Sequence, residues 1–392
     1  MRARPVPYAE ARVVLLGARA HLDHAGECEL AALAVGALDW EILVGLAARE
    51  GTAALLHFHL RRLDLLQRLP PSAAHRLTAL ANVVWATNAI REDRWAEATA
   101  ALRQAGIETL TLKGMALART IYPEAAVRPM ADIDLLVRPA DRAVALEVLY
   151  GLGYRPPGDA ADRLAASRSF AELVRDGTLI DLHWHVARYL RFEDVVRVDH
   201  EGLWRRARPL VTPAGPNLTL GPEDLLLHLI LHLTLGSEFA RVLWYADIDA
   251  AIRRYAAELD WERLVAEAKR WRIGTLAGWT LGVVRESFDT PLPRRLLDQL
   301  QCGRLRRAAI ARCIGTSSPP SLGPRRGDTR VYLAQTLLMD RPADVLRVLG
   351  WTFFPSPTWL RFHYEIESSW RVALYRALHP LRVCWLAARQ LR

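Results

Sequence analysis

A change of hydrophobic period at Gly106 limits what this chain can fold into more than any other feature. From Tyr8 to about Ala105 apolar residues recur at helical spacing, as in LLHFHLRRLDLLQRL and NVVWATNAIREDRWAEATAALRQAG, with a break at Pro70 and Pro71. From Gly106 the pattern becomes IETLTLKG, a two-residue alternation closed by glycine. The helix-like MALARTIY follows, then VRPMADIDLLVRP, the helix DRAVALEVLYGLGY and a third alternating run, TLIDLHWHV. Strands alternating with helices are the signature of a sheet with helices packed on it. After a loop rich in Ala, Asp and Arg and that third strand, PLVTPAGPNLTLGPEDLLLHL turns through Pro and Gly. It enters a helix with Pro222 at its start and Glu223 and Asp224 in the first turn. The remainder is helical, divided by TSSPPSLGPRRGD and FFPSP. At 392 residues the chain is too long for one ordinary core. The reading is α+β in three parts: a helical N-terminal region over 1–105, an α/β core over 106–212 and a helical C-terminal region over 213–392.

The tetrapeptide ADID occurs twice, around Asp132 and Asp134 and around Asp247 and Asp249. Alternate residues share a face on a strand but lie about 200° apart on a helix. The first copy, bounded by Pro129 and Pro139, reads as a strand, so Asp132 and Asp134 face one way while Ile133, Leu135 and Val137 face the core. The second sits in EFARVLWYADIDAAIRRYAAEL, where Val242, Leu243, Ala246, Ala250 and Ile252 have helical spacing; its aspartates read as structural. In TLIDLHWHV, Ile180, Leu182, Trp184 and Val186 share one face, and Asp181, His183 and His185 the other. If that strand lies beside the first, Asp181 completes a cluster of three carboxylates, hard oxygen ligands that suit magnesium. Carboxylates so placed repel, so neutralising Asp132 or Asp134 is expected to leave the metal-free protein no less stable. His183 and His185 read as hydrogen-bonded wall residues. His228 and His232 lack the glutamate of a zinc-protease motif and read as lining an interface between regions.

In LTLKGMALA, Gly114 stands where a strand meets a helix, the geometry in which free N–H groups and the positive helix end hold a phosphate. Lys113 precedes it, and lysine occurs elsewhere only at Lys269 in a chain that otherwise writes its cations as arginine. Arg128 is a further candidate for a phosphate contact. The net charge of +9 suits a polyanion, yet the arginines are spread along amphipathic helices, which does not favour a dedicated nucleic-acid face. Cys28, Cys302, Cys313 and Cys384 are scattered without paired spacing, which argues against a disulfide framework or a zinc site. With no membrane-length apolar run and no signal-peptide pattern, the expected location is cytoplasmic.

Taken in order, LKGMALARTIYP, RPMADIDLLV, the helix ending LGY and IDLHW resemble the uncharacterised nucleotidyltransferase family of the polymerase-beta-like superfamily, over roughly Gly106 to Val186. LLLHLILHLTLG and LWYADIDAAI are similar to that family's helical C-terminal half. The resemblance implies a small mixed-sheet nucleotidyltransferase core and magnesium-dependent transfer of a nucleoside monophosphate from a nucleoside triphosphate, with manganese as an alternative ion. It matches Asp132 and Asp134 to the metal-binding pair, Asp181 to the third carboxylate and Gly114 to the nucleotide-holding turn. The acceptor is a small molecule, peptide or protein of unknown identity. The wider superfamily follows that glycine with Gly or Ser, whereas this chain has Met115, which leaves Lys113 and backbone N–H groups to meet the phosphates. Two other classes fit an acidic pair: an adaptor that kept the fold and lost turnover, and an Asp-x-Asp glycosyltransferase. The latter would place a nucleotide-sugar domain where this chain is helical.

Overall fold

The computed structural model of the protein describes residues 8–158, 169–186, 191–192, 194–212, 215–300, 303–315, 319, 322, 328–366 and 368–391. Most of the loop rich in Ala, Asp and Arg, Cys302 and most of the break TSSPPSLGPRRGD lie outside these residues. Four helices open the described chain: α1 (Tyr8–Ala18), α2 (His24–Ala34), α3 (Trp40–Arg49) and α4 (Ala53–Arg62). Asp23 and Asp39 cap the second and third, accepting hydrogen bonds from otherwise unpaired N–H groups of the first turn. The long α5 (Pro71–Gln104) begins on Pro71, whose missing N–H costs nothing in a first turn.

The core is an α+β unit. Strands β1 (Leu110–Thr111), β2 (Ile133–Leu136), β3 (Phe170–Arg175), β4 (Thr178–His183), β5 (Arg208–Thr212) and β6 (Gly215–Thr219) form one mixed sheet in the order β3-β4-β2-β1-β6-β5. Helix α6 (Lys113–Thr120) follows β1, α7 (Arg142–Gly151) follows β2, and α8 (His200–Arg205) precedes β5. Two hairpins add strands where the sequence suggests turns or loop. Between β3 and β4 the turn is Asp176-Gly177, with φ of 49° and 74°, a pair that only residues tolerant of left-handed backbone supply. The β5–β6 hairpin carries Pro209 and Pro216; β5 is an edge strand, and Pro216 lies ahead of the β6 residues that pair with β1, so neither proline interrupts a central ladder.

One face of the sheet is apolar. Ile133, Leu135, Ile180 and Leu182 pack there with Trp95 and Leu102 of α5 and Leu149 of α7. Leu110, Leu112 and Leu136 join a larger cluster that unites the four opening helices with those after the sheet, so the two helical regions share one core. The later helices are α9 (Pro222–Leu231), α10 (Val242–Arg254), α11 (Trp261–Arg270), α12 (Gly274–Phe288), α13 (Leu296–Leu300), α14 (Arg304–Ile314), α15 (Asp328–Leu337), α16 (Pro342–Phe353), α17 (Pro357–Tyr364) and α18 (Ser369–Leu391). Helix α9 is buried along its whole length and passes into a π-helical turn, His232–Gly236.

Candidate metal and nucleotide site

β2 and β4 are parallel neighbours, and their register sets Asp134 beside Asp181. Paired residues on adjacent strands project from the same face, and His183, two residues along β4, projects with them. Ligand atoms of Asp134, Asp181 and His183 lie within 4.8 Å of one another, and all three residues are buried. This donor set fits a divalent metal: the carboxylates suit magnesium or manganese, and the imidazole extends the choice toward softer ions. His183 is hydrogen-bonded, as its place on the strand suggests, and its partner Asp134 makes it part of the cluster. His185 lies past the end of β4, its ring 4.0 Å from that of His200.

β1 leads into α6 beside this cluster. Lys113 takes a left-handed φ of 38°, a conformation that costs a non-glycine residue about 1–3 kcal/mol. Its Nζ lies 2.6 Å from Asp134 Oδ1, and His183 Nε2 lies 3.0 Å from the same oxygen. Burial alone would raise the Asp134 carboxyl, but the Lys113 ammonium and the His183 hydrogen bond outweigh it and hold that carboxyl far below the usual range. Asp134 is thus a carboxylate with a buried cation of its own, which reverses the expectation that its removal relieves repulsion. Asp132 stands one residue ahead of β2, half-buried, and its oxygens fall outside the 4.8 Å group. Its charge acts on the guanidiniums of Arg91 and Arg128.

Arg128 is 5 % exposed. Its Nε and Nη2 donate to Asp247 Oδ1 and Oδ2 at 2.9 and 2.7 Å, and Tyr122 donates its hydroxyl to Oδ1 at 2.7 Å. The second ADID copy is helical, inside α10, and its aspartates do diverge: Asp249 accepts from Arg253 and Thr290 instead. Asp247 thereby anchors the segment that feeds β2, and Asn88 of α5 holds the same segment by donating to the Arg128 carbonyl at 2.8 Å. Gly114 is explained by the same arrangement. A Cβ there would lie 3.0 Å from Arg128 Nη1 and from Met130 Cγ, and the Arg128 fork is pinned by Asp247 and cannot yield.

His228, whose sequence position suggests an interface residue, lies in α9. It is buried, and neither ring nitrogen has a hydrogen-bond partner. Desolvation and then the Lys113 ammonium lower its pKa to about 3, so it is neutral at physiological pH. His232 is held neutral for the same two reasons, its ring edge-on to Trp244. Asp247, Tyr122 and Arg91 are neighbours of the site that the sequence does not reveal, because each sits on or beside a helix whose apolar pattern says nothing about its polar partners.

A mixed sheet with acidic residues side by side on two parallel strands, next to a strand-glycine-helix turn, defines a nucleotidyltransferase-type core with a buried Asp-Asp-His cluster compatible with a metal. The chain belongs to the uncharacterised nucleotidyltransferase family, whose model matches residues 36–289. That match takes in the whole sheet and helices on both sides of it, well beyond the stretch that carries the motifs. No curated protein matches the chain. No helix among the described residues is long and apolar enough to cross a membrane.

Proposed function

We propose that the protein transfers a nucleoside monophosphate from a nucleoside triphosphate to an acceptor hydroxyl. In this reading Asp134 and Asp181, with His183 beside them, hold the metal and Asp132, one residue ahead of β2, would join them on binding, while Lys113, Gly114 and the Arg128 Nη1 outside the Asp247 fork form the phosphate end of the site. The observation that carries it is the pairing of Asp134 with Asp181 across parallel strands, beside the Lys113-Gly114 turn. A divalent cation, when bound, supplies charge neutralisation at the phosphates and acidifies the attacking hydroxyl. The first turn of α6 has no side-chain cap hydrogen bond, and its N–H groups are the donors that would meet a phosphate oxygen. Lys113 moves its ammonium from Asp134 to the outer phosphates, and Asp181 accepts the acceptor's proton as the acceptor oxygen bonds the α-phosphorus and the bond to the leaving pyrophosphate breaks. The buried α9 keeps water from the inner side.

A second reading, nucleotide binding without turnover, is favoured by the Lys113 to Asp134 pair, which already neutralises a would-be metal ligand. Calorimetric titration of a nucleoside triphosphate with and without magnesium, followed by pyrophosphate release in the presence of candidate acceptors, separates the two. Magnesium-dependent binding with release that disappears in Asp134→Asn and Asp181→Asn supports transfer. Binding without release, whether or not magnesium is present, supports the second reading, and no nucleotide binding under either condition overturns both. Lys113→Ala is expected to weaken triphosphate binding more than monophosphate binding.

A further inference from the structure

Helix α18 uses only one of its faces. Val372 closes a small apolar cluster with Leu360 and Ile366, and His379 is buried on the same side, where its imidazole meets the Tyr364 hydroxyl. On the opposite side Trp370, Leu374, Leu378, Leu381 and Trp385 are between 46 % and 68 % exposed. At 100° per residue these five fall within an arc of about 80°, and exposed alanines together with Cys384 widen the uncharged arc to about 140°. Five large apolar side chains aligned along a 23-residue helix form a continuous stripe, not the scattered exposure that any surface shows.

The charges of the helix are of one sign. It contains Arg371, Arg376, Arg382 and Arg389 and no aspartate or glutamate. Arg371, Arg382 and Arg389 project along one border of the stripe, about 100–120° from Trp370. Arg371 lies over the Trp370 ring and Arg389 over the Trp385 ring, so each end of the stripe presents an indole and a guanidinium together. A second copy of the helix would bring no carboxylate to these arginines. A surface of anionic lipid headgroups would bring phosphates to the border and an acyl boundary to the stripe, with the tryptophans at headgroup depth. Because no helix among the described residues is apolar enough to span, such a helix lies in the plane of the surface.

We propose that α18 docks the protein on an anionic membrane surface, the Trp370 to Trp385 stripe entering the headgroup boundary and the flanking arginines meeting lipid phosphates. The test is co-sedimentation of the full chain with vesicles of phosphatidylcholine alone and of phosphatidylcholine with phosphatidylglycerol, alongside light scattering for mass without lipid. The chain is expected to bind the anionic vesicles, to release with salt, and to bind neutral vesicles at least tenfold more weakly. Leu374→Asp with Leu381→Asp should abolish binding without lowering the melting temperature, because both side chains already face solvent. Arg371→Gln with Arg389→Gln should weaken anionic-vesicle binding about 25-fold, at about fivefold for each arginine. The charge pair keeps the test decisive if the leucine variant fails to fold. Failure to bind anionic vesicles overturns the proposal, as does equal binding to both vesicles, or a dimer in solution that the leucine variant dissociates while vesicle binding is absent.

Discussion

Replacing Asp134 by asparagine in the metal-free protein tests the reading of the site most directly. The substitution keeps volume and removes charge, leaving a Lys113 ammonium whose side chain is 8 % exposed and whose partner oxygen stood 2.6 Å away. Breaking a buried ion pair from one side costs about 3–5 kcal/mol, because the remaining charge is left desolvated. Lysine has an exit that limits this cost: it can lose its proton. From an unfolded pKa near 10.4, that takes about 4.6 kcal/mol at pH 7 and about 1.9 kcal/mol at pH 9. An ammonium whose folded pKa is depressed leaves the unfolded state holding more protons, so the stability of the variant rises with pH. The wild-type pair has the same sign in a different window: its folded Asp134 pKa is lowered, so its contribution is complete above the unfolded carboxyl pKa, is lost only in acid and does not change between pH 7 and 9. Urea denaturation in a chelator should therefore show Asp134→Asn less stable than wild type by about 3–4 kcal/mol at pH 7, the deficit shrinking to about 2 kcal/mol or less at pH 9. Adding Lys113→Met to Asp134→Asn should recover most of the loss, since the pair is then removed from both sides. A single variant as stable as wild type, or more stable, at pH 7 would refute the argument and show that repulsion between the carboxylates outweighs the Lys113 pair.

Asp247→Asn supplies the contrasting case: Arg128 cannot shed its proton, so a loss of about 3–5 kcal/mol should appear and stay constant between pH 7 and 9 in the same urea series. Gly114→Ala should cost about 1–3 kcal/mol by overpacking against Met130 and the pinned Arg128 guanidinium, and should be partly relieved by Met130→Ala. His228 binds no proton in the folded chain until about pH 3 but does so near 6.5 when unfolded, so it lowers stability as pH falls through that window. His228→Leu should thus lose about 2 kcal/mol less than wild type on going from pH 7.5 to pH 5, and an unchanged acid slope would mean that His228 already has a partner.

The sequence carried those features that depend on period. Alternation places Asp134 on a strand and sets Asp181 and His183 on one face of another, and helical spacing puts Asp247 and Asp249 on a helix. Each of these follows from local spacing, which the backbone obeys whatever lies around it. Strand neighbours are not local, and period alone marks neither β3 nor the β5–β6 hairpin, although the Asp176-Gly177 turn is a readable hairpin signal. The prolines of the β5–β6 segment argued for turns because their tolerance depends on which strand is at the edge, a property of the finished sheet.

Counter-charges were the least legible part, and for a physical reason. Asp247 lies 119 residues from Arg128, and no periodicity links two side chains that meet only when α10 packs behind the segment feeding β2. Yet the two ADID copies end in comparable energetic states, each with a buried aspartate bonded to a buried cation. What separates them is the cation. A guanidinium held by both oxygens cannot leave or neutralise, so Asp247 is committed to the fold. An ammonium on a flexible stem, paired with Asp134 beside a second carboxylate, can be exchanged for another cation without unfolding the strands that present it. The difference between a structural and an exchangeable acidic site therefore rests on Lys113 in a chain that elsewhere chooses arginine almost without exception. Lys113→Arg should accordingly preserve stability in chelator while lowering magnesium affinity, and an arginine variant with undiminished magnesium binding would show that Asp134 does not exchange its partner.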